Sequence, residues 1–326
     1  MKLHSIEYKI LFKNKYLCLM FRTPSSVRQR RIGAALMLLA IVTAASGAHG
    51  DFTFAALGDT PYVEDEESRF VGMIAEINHE KPAFTLHVGD FKSGWSPCSD
   101  ALYQLRREQF ALFHQPLVYT PGDNEWSDCW RSLGAARDPL ERLQKLRSLF
   151  FADTFSLGQQ KIALSRQSAA YPEHARWTHE GIVFATLNVP GGNNNMRMPT
   201  EYAAREKALL DWLATTFRLA RTQRHRAVVI VMQANPFIRS VVLKNGYAPL
   251  LQALAEAAQA FGGEVLLIHG DTHRFRVDRP LLDRRSGRPL PNVTRLEVFG
   301  YPFVNWVRVR VSQRDGKVIF DATPGM

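Results

Sequence analysis

Short apolar runs alternate with longer amphipathic stretches over most of the chain. Apolar runs of this length that end in glycine or polar turn residues are typical of strands buried in a parallel sheet. The stretches between them place apolar residues on one helical face, as Phe70, Met73 and Ile77 do. This order of strand, loop and helix predicts an α/β fold. The predicted strands are Phe52–Leu57, Phe84–Val88, Leu117–Thr120, Ile182–Val189, Val228–Met232 and Val265–Ile268.

Two parts of the chain depart from this alternation. Near the C-terminus, the alternating runs Thr294–Phe299, Asn305–Val311 and Val318–Asp321 predict an antiparallel completion of the sheet. Residues 153–180 show no regular pattern and are interpreted as an insertion near the functional site, either a surface loop or a segment that recognises the substrate. No repeat or linker divides residues 51–326, which we expect to form a single domain.

The first 50 residues have the pattern of a leader that contains a signal peptide. Basic residues between Arg22 and Arg31 precede the apolar stretch Ile32–Ala45, and small residues follow up to Gly50. The apolar stretch is shorter than the roughly 20 residues that span a bilayer. We therefore expect cleavage, export to the periplasm or the medium, and no membrane anchor afterwards. Residues 1–19 do not fit a signal peptide, which favours Met20 as the natural start.

The formal net charge of +10 would favour a polyanionic partner if it were spread over the chain. Eight of the 41 Lys and Arg residues, but only one of the 31 Asp and Glu residues, lie within residues 1–50. Residues 51–326 therefore carry a net charge of only +3. The composition gives no strong case for binding to nucleic acid.

Two cysteines remain after the leader, Cys98 and Cys129. An even pair in an oxidising compartment predicts a disulfide. Each cysteine follows one of the aspartates described below, so the bond would tie two loops of the functional site together. Two free thiols, or two soft metal ligands, are the alternatives.

Four of the predicted strands end in a Gly-Asp pair, with Asp59, Asp90, Asp123 and Asp271. Ligands of open α/β sheets collect beyond the carboxyl ends of strands, so these carboxylates are expected to converge, with Asp90 at the centre. One such pair is an ordinary turn. Four of them, with amide and imidazole groups nearby, favour a site for Mn²⁺, Mg²⁺, Zn²⁺ or Fe. The nearby polar residues are Asn124, Glu125, Gln233, Asn235 and His273.

These segments resemble the motifs of the calcineurin-like metallophosphoesterases. The matching sequences are GDTPY at 58–62, GD at 89–90, GDNE at 122–125, MQANP at 232–236 and GDTH at 270–273. The resemblance implies a four-layer α-β-β-α sandwich around two sheets and a pair of divalent metal ions. It also implies an exported enzyme that hydrolyses a small phosphomonoester or phosphodiester with a metal-bound hydroxide. The alternative is a degenerate relative that binds a phosphorylated ligand or a partner without turnover.

The resemblance assigns roles to individual residues. Asp90 would bridge the two metals and take part directly in catalysis, and Asp59 and His273 would bind the first metal. The second metal would be bound by Asn124, Gln233 and Asp271. At four matching positions the family has histidines and this chain does not, so the second site is expected to be weak and to favour Mn²⁺ or Mg²⁺ over zinc. Those positions are Pro61, Glu125, Gln233 and Asp271.

Four further residues near the motifs have two interpretations each. Glu125 could protonate the leaving oxygen as a general acid, or form a salt bridge or helix cap. Tyr62 could contact a metal or the substrate, or be an ordinary packed tyrosine. Asn194, in the loop 190–195, could close over a substrate or belong to a simple turn. Arg274 could contact phosphate or pair with Asp278.

Overall fold

Two β-sheets organise the chain. The computed structural model describes residues 50–131, 136–238 and 244–325, so the predicted signal peptide and the start at Met20 lie outside the described residues. The strands are β1 (Phe52–Leu57), β2 (Thr85–His87), β3 (Leu117–Tyr119), β4 (Ser165–Ser168), β5 (Tyr171–His179), β6 (Ile182–Thr186), β7 (Ala227–Val231), β8 (Glu264–His269), β9 (Arg276–Asp278), β10 (Val293–Glu297), β11 (Val307–Arg314) and β12 (Lys317–Pro324). The first sheet has the order β12-β11-β1-β2-β3, and the second has the order β4-β5-β6-β7-β8-β10-β9.

Helices connect the strands. They are α1 (Asp65–Glu80), α2 (Asp100–Phe110), α3 (Pro139–Phe150), α4 (Gly191–Asn194), α5 (Pro199–Thr222) and α6 (Ala248–Phe261). α1 starts with acidic residues, which suit a helix N-terminus, and it is followed by Lys81, whose backbone is left-handed. α4 is a single turn that contains left-handed residues. Of the helices in the described part of the chain, none is long and apolar enough to cross a bilayer.

The layers follow from the alternation of side chains along each strand. In β1, Phe54 and Ala56 pack between the two sheets, whereas Ala55 and Leu57 pack against α1, α2 and α3. The outer face of the second sheet packs against α5 and α6, with Val228 of β7 among its buried residues. The order of layers is therefore α-β-β-α, which confirms the predicted four-layer sandwich.

Two predictions about the sheets are wrong. Residues 153–180, expected as an irregular insertion, contain β4 and β5, which extend the second sheet beyond β6 by antiparallel pairing. Trp177 of β5 packs between the sheets and is part of the core. Near the C-terminus, β11 and β12 form an antiparallel hairpin, but β10 runs parallel to β8. The tail is therefore not antiparallel throughout.

The predicted disulfide between Cys98 and Cys129 is present, with Cα atoms 5.7 Å apart. Both cysteines are completely buried. The bond joins the loop after β2 to the short 3₁₀ turn after β3. The two alternatives, free thiols and soft metal ligands, do not describe this pair.

Replacing Cys98 and Cys129 with serine is expected to lower the free energy of unfolding by about 3 kcal/mol. The bond closes a segment of the chain with a sequence separation of 31, and its loss gives the unfolded chain more conformational freedom. Urea unfolding of the double variant and of the wild type measures the difference. Wild-type protein in excess reductant is the control and should lose the same stability. Equal midpoints in all three samples would contradict the prediction.

Candidate functional site

Loops that follow β1, β2, β3 and β8 line a cavity of about 490 Å³. Gln233, directly after β7, also reaches this region and donates a hydrogen bond to Asp90 across the two sheets, at 3.0 Å. The cavity therefore lies at the carboxyl ends of the strands, where ligands of such sheets are expected. The predicted site residues that line it are Tyr62, Asp90, Asn124, Asp271 and His273.

Residues of different Gly-Asp pairs are in close contact with one another. Asp59 accepts hydrogen bonds from the backbone N–H of Asp271, at 3.0 Å to Oδ1 and 3.1 Å to Oδ2. A side chain at Gly270 would clash with the Asp59 carboxylate, and a side chain at Gly122 would clash with the Asp90 carboxylate. In these two motifs the glycine is therefore needed to make room for an aspartate that belongs to another pair.

The hydroxyl of Tyr62 lies at the centre of the predicted first metal site. Its oxygen is 3.3 Å from Oδ2 of Asp90, 3.2 Å from Nε2 of His273 and 3.0 Å from Nδ2 of Asn124. The Asp59 carboxylate is also close, since its Oδ1 is 3.8 Å from the same Nε2. The structure thus brings together four residues that the sequence analysis assigned to metal binding.

The backbone orients the imidazole of His273. Its Nδ1 is 2.9 Å from the carbonyl oxygen of Tyr301. Because a carbonyl only accepts hydrogen bonds, Nδ1 carries the proton of the neutral ring, and the unprotonated Nε2 lies on the side of the ring that faces the cluster. Burial lowers the pKa of His273, which favours the neutral form that can bind a metal.

Asp90 is held by three neighbours. Its Oδ1 accepts the backbone N–H of Asn124 at 3.0 Å, and its Oδ2 accepts hydrogen bonds from Nε2 of Gln233 and from the Tyr62 hydroxyl. Oε1 of Gln233 accepts the N–H of Gly191 at 2.7 Å. Gln233 therefore positions Asp90 in this structure. Its amide oxygen keeps a second lone pair, so its role as a metal ligand stays a prediction.

Comparisons with known proteins give a match in structure but not in sequence. No protein-family model and no curated protein matches the chain. Among solved structures, GAP50, the anchor in the inner membrane complex of Plasmodium, aligns over 83% of this chain and 84% of its own, with 11% sequence identity and a TM-score of 0.51. GAP50 is a calcineurin-like metallophosphoesterase fold. This chain has the metallophosphoesterase fold.

Two other structures with the metallophosphoesterase fold align less closely. PhoD covers 80% of this chain, with 12% identity and a TM-score of 0.47, and 64% of PhoD itself is covered. The purple acid phosphatase PPD1 from seeds of yellow lupin (Lupinus luteus) covers 84% of this chain, with 13% identity and a TM-score of 0.49, and 51% of PPD1 is covered. The chain thus spans less than two thirds of the length of either protein. At sequence identities this low, the similarity concerns the fold alone and says nothing about activity.

Three buried carboxylates, Asp59, Asp90 and Asp123, lie close to the half-buried carboxylate of Asp271. Burial, with added repulsion from neighbouring carboxylates, raises the pKa of Asp59, Asp90 and Asp123 well above their usual values. Burial also raises the pKa of Asp271 to about 6. Ionising these groups in the folded protein is therefore costly. A cation bound among them would offset that cost.

Asp271→Asn is expected to stabilise the protein when divalent cations are removed, and to do so more at neutral than at acidic pH. The folded pKa of about 6 lies above the unfolded value of about 3.9, so Asp271 costs stability as the pH rises through this interval, by up to about 3 kcal/mol. Urea unfolding in a chelator, near pH 4 and near pH 7.5, measures the gain. Asp211→Asn, on the exposed side of α5, is the control. A larger gain near pH 4 would contradict the prediction.

The donor chemistry suits a divalent cation, but the described residues do not form a preassembled metal site. Carboxylate oxygens with one imidazole suit the metals that the sequence predicts, and Gly122 and Gly270 leave room for the carboxylates. Within the three described ranges, no three His, Cys, Asp or Glu side chains are grouped as ligands of a metal ion. The groups around the Tyr62 hydroxyl are the donors predicted for a first site, whereas the amide of Gln233, predicted for the second site, is hydrogen bonded to Asp90 and Gly191.

Glu125 does not line the cavity. Its Oε1 accepts the backbone N–H groups of Asp90 and Gly122, at 3.1 and 2.7 Å, and the hydroxyl of Tyr119 at 2.8 Å. The side chain is completely buried. Glu125 therefore fixes the turns that carry the aspartates, and the predicted role as a general acid is wrong because the carboxylate does not face the cavity.

Asn194 also has a structural role. Its Oδ1 accepts a hydrogen bond from Nη1 of Arg205 at 2.6 Å, and its Nδ2 donates to the carbonyl oxygen of Gly246 at 2.9 Å. The side chain is buried, so the prediction that it contacts a substrate is wrong. It holds the loop that presents Gly191 to Gln233.

Arg274 lies outside the cavity that contains Asp90. It lines a separate cavity together with Arg276 and Arg295. The predicted alternative, an ion pair between Arg274 and Asp278, is also wrong, because Asp278 pairs with Arg295. A direct contact between Arg274 and a phosphate at Asp90 is therefore not supported.

Seven of the residues that line the cavity had no predicted role of their own, and four of them matter for the site. Asp123 was recognised only as one of four repeated aspartates. Trp95 and Arg131 lie close in sequence to the disulfide cysteines. This closeness is the feature of the sequence that could have indicated a place near the site. Tyr301 follows β10 and belongs to no motif.

Proposed function

We propose that this chain is an exported, metal-dependent phosphoesterase that hydrolyses a small phosphomonoester or phosphodiester. The proposal is carried by the convergence of Asp59, Asp90, Asn124 and His273 around the hydroxyl of Tyr62. Burying carboxylates together raises their pKa values, so the arrangement is unfavourable by itself. A bound cation would offset that cost, which explains why the carboxylates are grouped together.

Asp59, Asp90 and His273, with Asn124 beside them, are the residues that would hold the first cation. When bound, the cation acts as a Lewis acid and neutralises charge that develops on the phosphoryl group. Tyr62 retains its proton, because burial raises its pKa well above the usual value, and it can donate a hydrogen bond at the centre of the site. The contact of His273 with the backbone keeps Nε2 directed at the same point.

The proposed cations are those that the donor chemistry favours, and the first is expected to bind more tightly than the second. Mn²⁺, Mg²⁺, Zn²⁺ and Fe all accept carboxylate and imidazole ligands. A second ion beside Asp271 would bind more weakly than the first, because the amide of Gln233 is committed to Asp90 and Gly191. A cavity of about 490 Å³ suits a small phosphorylated substrate.

The proposed location is the periplasm or the medium. The leader pattern in residues 1–50 supports export. The disulfide between Cys98 and Cys129 supports an oxidising compartment, because such bonds rarely persist in the cytosol. Sequencing the N-terminus of the exported protein tests this part of the proposal, and an N-terminus at Met1 or Met20 would contradict cleavage.

Removal of divalent cations tests the proposed activity. The purified protein should hydrolyse an aryl phosphomonoester or phosphodiester in Mn²⁺, lose this activity after treatment with a chelator, and regain it when Mn²⁺ is returned. Elemental analysis of the protein before and after treatment gives the number of ions lost, which should be at least one. Hydrolysis at an unchanged rate in the chelator would contradict metal dependence.

A second candidate function is binding of a phosphorylated ligand without hydrolysis. It is favoured by the contacts of Asp90, whose Oδ2 is already hydrogen bonded to Gln233 and Tyr62. In this case inorganic phosphate would bind in equilibrium dialysis, and no ester would be hydrolysed in any of the four metals. Turnover that depends on an added metal would exclude this alternative.

A further inference from the structure

Two exposed aromatic side chains line the same cavity as Asp90 and His273. The exposed fractions are 62% for Trp95 and 41% for Tyr301. Single exposed aromatic residues are common on protein surfaces. Two of them in the wall of a cavity that also contains the candidate cation ligands form a more specific arrangement, which we call the aromatic rim.

Each ring of the aromatic rim is supported by a protein group. The guanidinium carbon of Arg131 is 5.6 Å from the ring centroid of Trp95. The ring of Tyr62 stacks on Tyr301, with centroids 5.7 Å apart and planes inclined by 14°. These contacts limit the motion of both rings in the absence of a ligand. A ring that is already fixed loses little conformational entropy when a ligand stacks on it.

The backbone of Tyr301 is attached directly to two candidate metal ligands. Its N–H donates to the carbonyl oxygen of Asp59 at 2.9 Å, and its carbonyl oxygen accepts the hydrogen bond from Nδ1 of His273 at 2.9 Å. The position of the Tyr301 ring is therefore fixed relative to the reacting end of the cavity. A group that stacks on it would stand at a defined distance from the cation site.

The loop that carries Trp95 follows β2 in the first sheet and is also attached to the site. Nζ of the buried Lys92 donates to the carbonyl oxygens of Ser93 and Asn124, each at 2.7 Å. The Cys98–Cys129 disulfide holds the end of this loop against the turn that contains Arg131. Both members of the aromatic rim are thus positioned by residues that also position the candidate cation ligands.

We propose that the aromatic rim binds a planar ring in the alcohol part of the phosphate ester, so that aryl and nucleoside phosphates are preferred to alkyl phosphates. This inference rests on the proposed function, because it places the phosphoryl group at Asp59, Asp90 and His273 and the ring at Trp95 and Tyr301. Stacking of a nucleobase on an aromatic side chain is sequence-tolerant and of moderate strength. The rim therefore selects rings as a class and does not distinguish one base from another.

Binding by the wild-type protein gives the first test. Adenosine 5′-monophosphate and glycerol 1-phosphate carry the same phosphate group, and the first should bind about tenfold more tightly in isothermal titration. Equal dissociation constants would overturn the proposal. The measurement uses Asp90→Asn as well as the wild type, so that it does not depend on turnover.

Substitution of the rim gives the second test. Trp95→Leu and Tyr301→Leu should each weaken binding of adenosine 5′-monophosphate by about tenfold, and by much less for glycerol 1-phosphate. Trp95→Phe and Tyr301→Phe keep a ring and should retain most of the selectivity, which separates stacking from a general loss of packing. The matched controls are Trp130→Leu and Phe303→Leu, since both residues are exposed aromatics that do not line the cavity.

The outcomes distinguish this proposal from the proposed function. If adenosine 5′-monophosphate binds selectively through Trp95 and Tyr301 but no ester is hydrolysed, the aromatic rim is supported and the hydrolase is wrong. If esters are hydrolysed in Mn²⁺ and the leucine variants lose aryl and alkyl binding equally, the rim is wrong and the hydrolase stands. A loss in the Trp130→Leu and Phe303→Leu controls as large as in the rim variants would also overturn the rim.

Discussion

Asp90→Asn is expected to reduce metal-dependent hydrolysis of aryl phosphate esters by at least about 100-fold. Changing residues that only support metal ligands commonly costs 10- to 100-fold, and Asp90 is itself placed among the ligands. The substitution removes the negative charge and replaces one oxygen with an NH₂ group. That group would face either the N–H of Asn124 or the NH₂ of Gln233, both of which are donors. The rate in Mn²⁺ is the measurement.

The same variant should not be unfolded. The pKa of Asp90 is raised by burial and by neighbouring carboxylates, so removing its charge relieves repulsion when no cation is bound. The melting temperature in a chelator should therefore be unchanged or higher than that of the wild type. Asp211→Asn, an identical chemical change on the exposed side of α5, should leave the rate unaltered. Activity of Asp90→Asn within about threefold of the wild type would contradict a role of Asp90 in hydrolysis.

Arg205→Met is expected to lower the free energy of unfolding by about 3–5 kcal/mol, the cost of leaving a buried charge without its partner. Arg205 is 1% exposed. Its Nε donates to Oε1 of Glu201 at 2.6 Å, and its Nη1 donates to the carbonyl oxygen of Asn188 at 3.0 Å and to Oδ1 of Asn194 at 2.6 Å. Methionine fills a similar space but leaves these acceptors unpaired. Urea unfolding measures the loss.

The control for this substitution is Arg221→Met, near the end of the same helix. Arg221 is exposed, and a surface substitution of this kind usually changes stability by less than about 0.5 kcal/mol. The double variant Arg205→Met with Glu201→Gln should recover part of the loss, because the unpaired carboxylate is then neutral. A stability of Arg205→Met equal to that of Arg221→Met would show that the buried network contributes little.

The strands that can be predicted from the sequence are those whose own residues show a clear hydrophobic pattern. β7 and β8 are continuous apolar runs because they are covered on both faces. β5 lacks this signal, since its buried positions include Glu173 and His174. Their partners come from other elements: Arg147 pairs with Glu173, and Gln167 forms a hydrogen bond with Nδ1 of His174. Pairing of this kind depends on the assembled fold and leaves no periodic pattern in the strand.

The same reasoning explains which site residues were found. The Gly-Asp pairs are visible because close approach of the aspartates excludes side chains at Gly122 and Gly270. The direction of Glu125 is not encoded locally, because it depends on N–H groups from two different turns. Tyr301 forms hydrogen bonds with Asp59 and His273 through its backbone, and any residue except proline can make these bonds. No motif could have indicated it.

The position of β1 has a consequence for synthesis. β1 carries Asp59 at its end, yet it lies in the middle of its sheet, with Phe52 opposite Val311 of β11. A ribosome that adds roughly 5–20 residues per second releases this partner strand only after every element from α1 to β10 has been made. Until then the nascent protein exposes an unpaired strand edge, which other chains can join. A chaperone that shields this edge until β11 has been made would prevent such premature association.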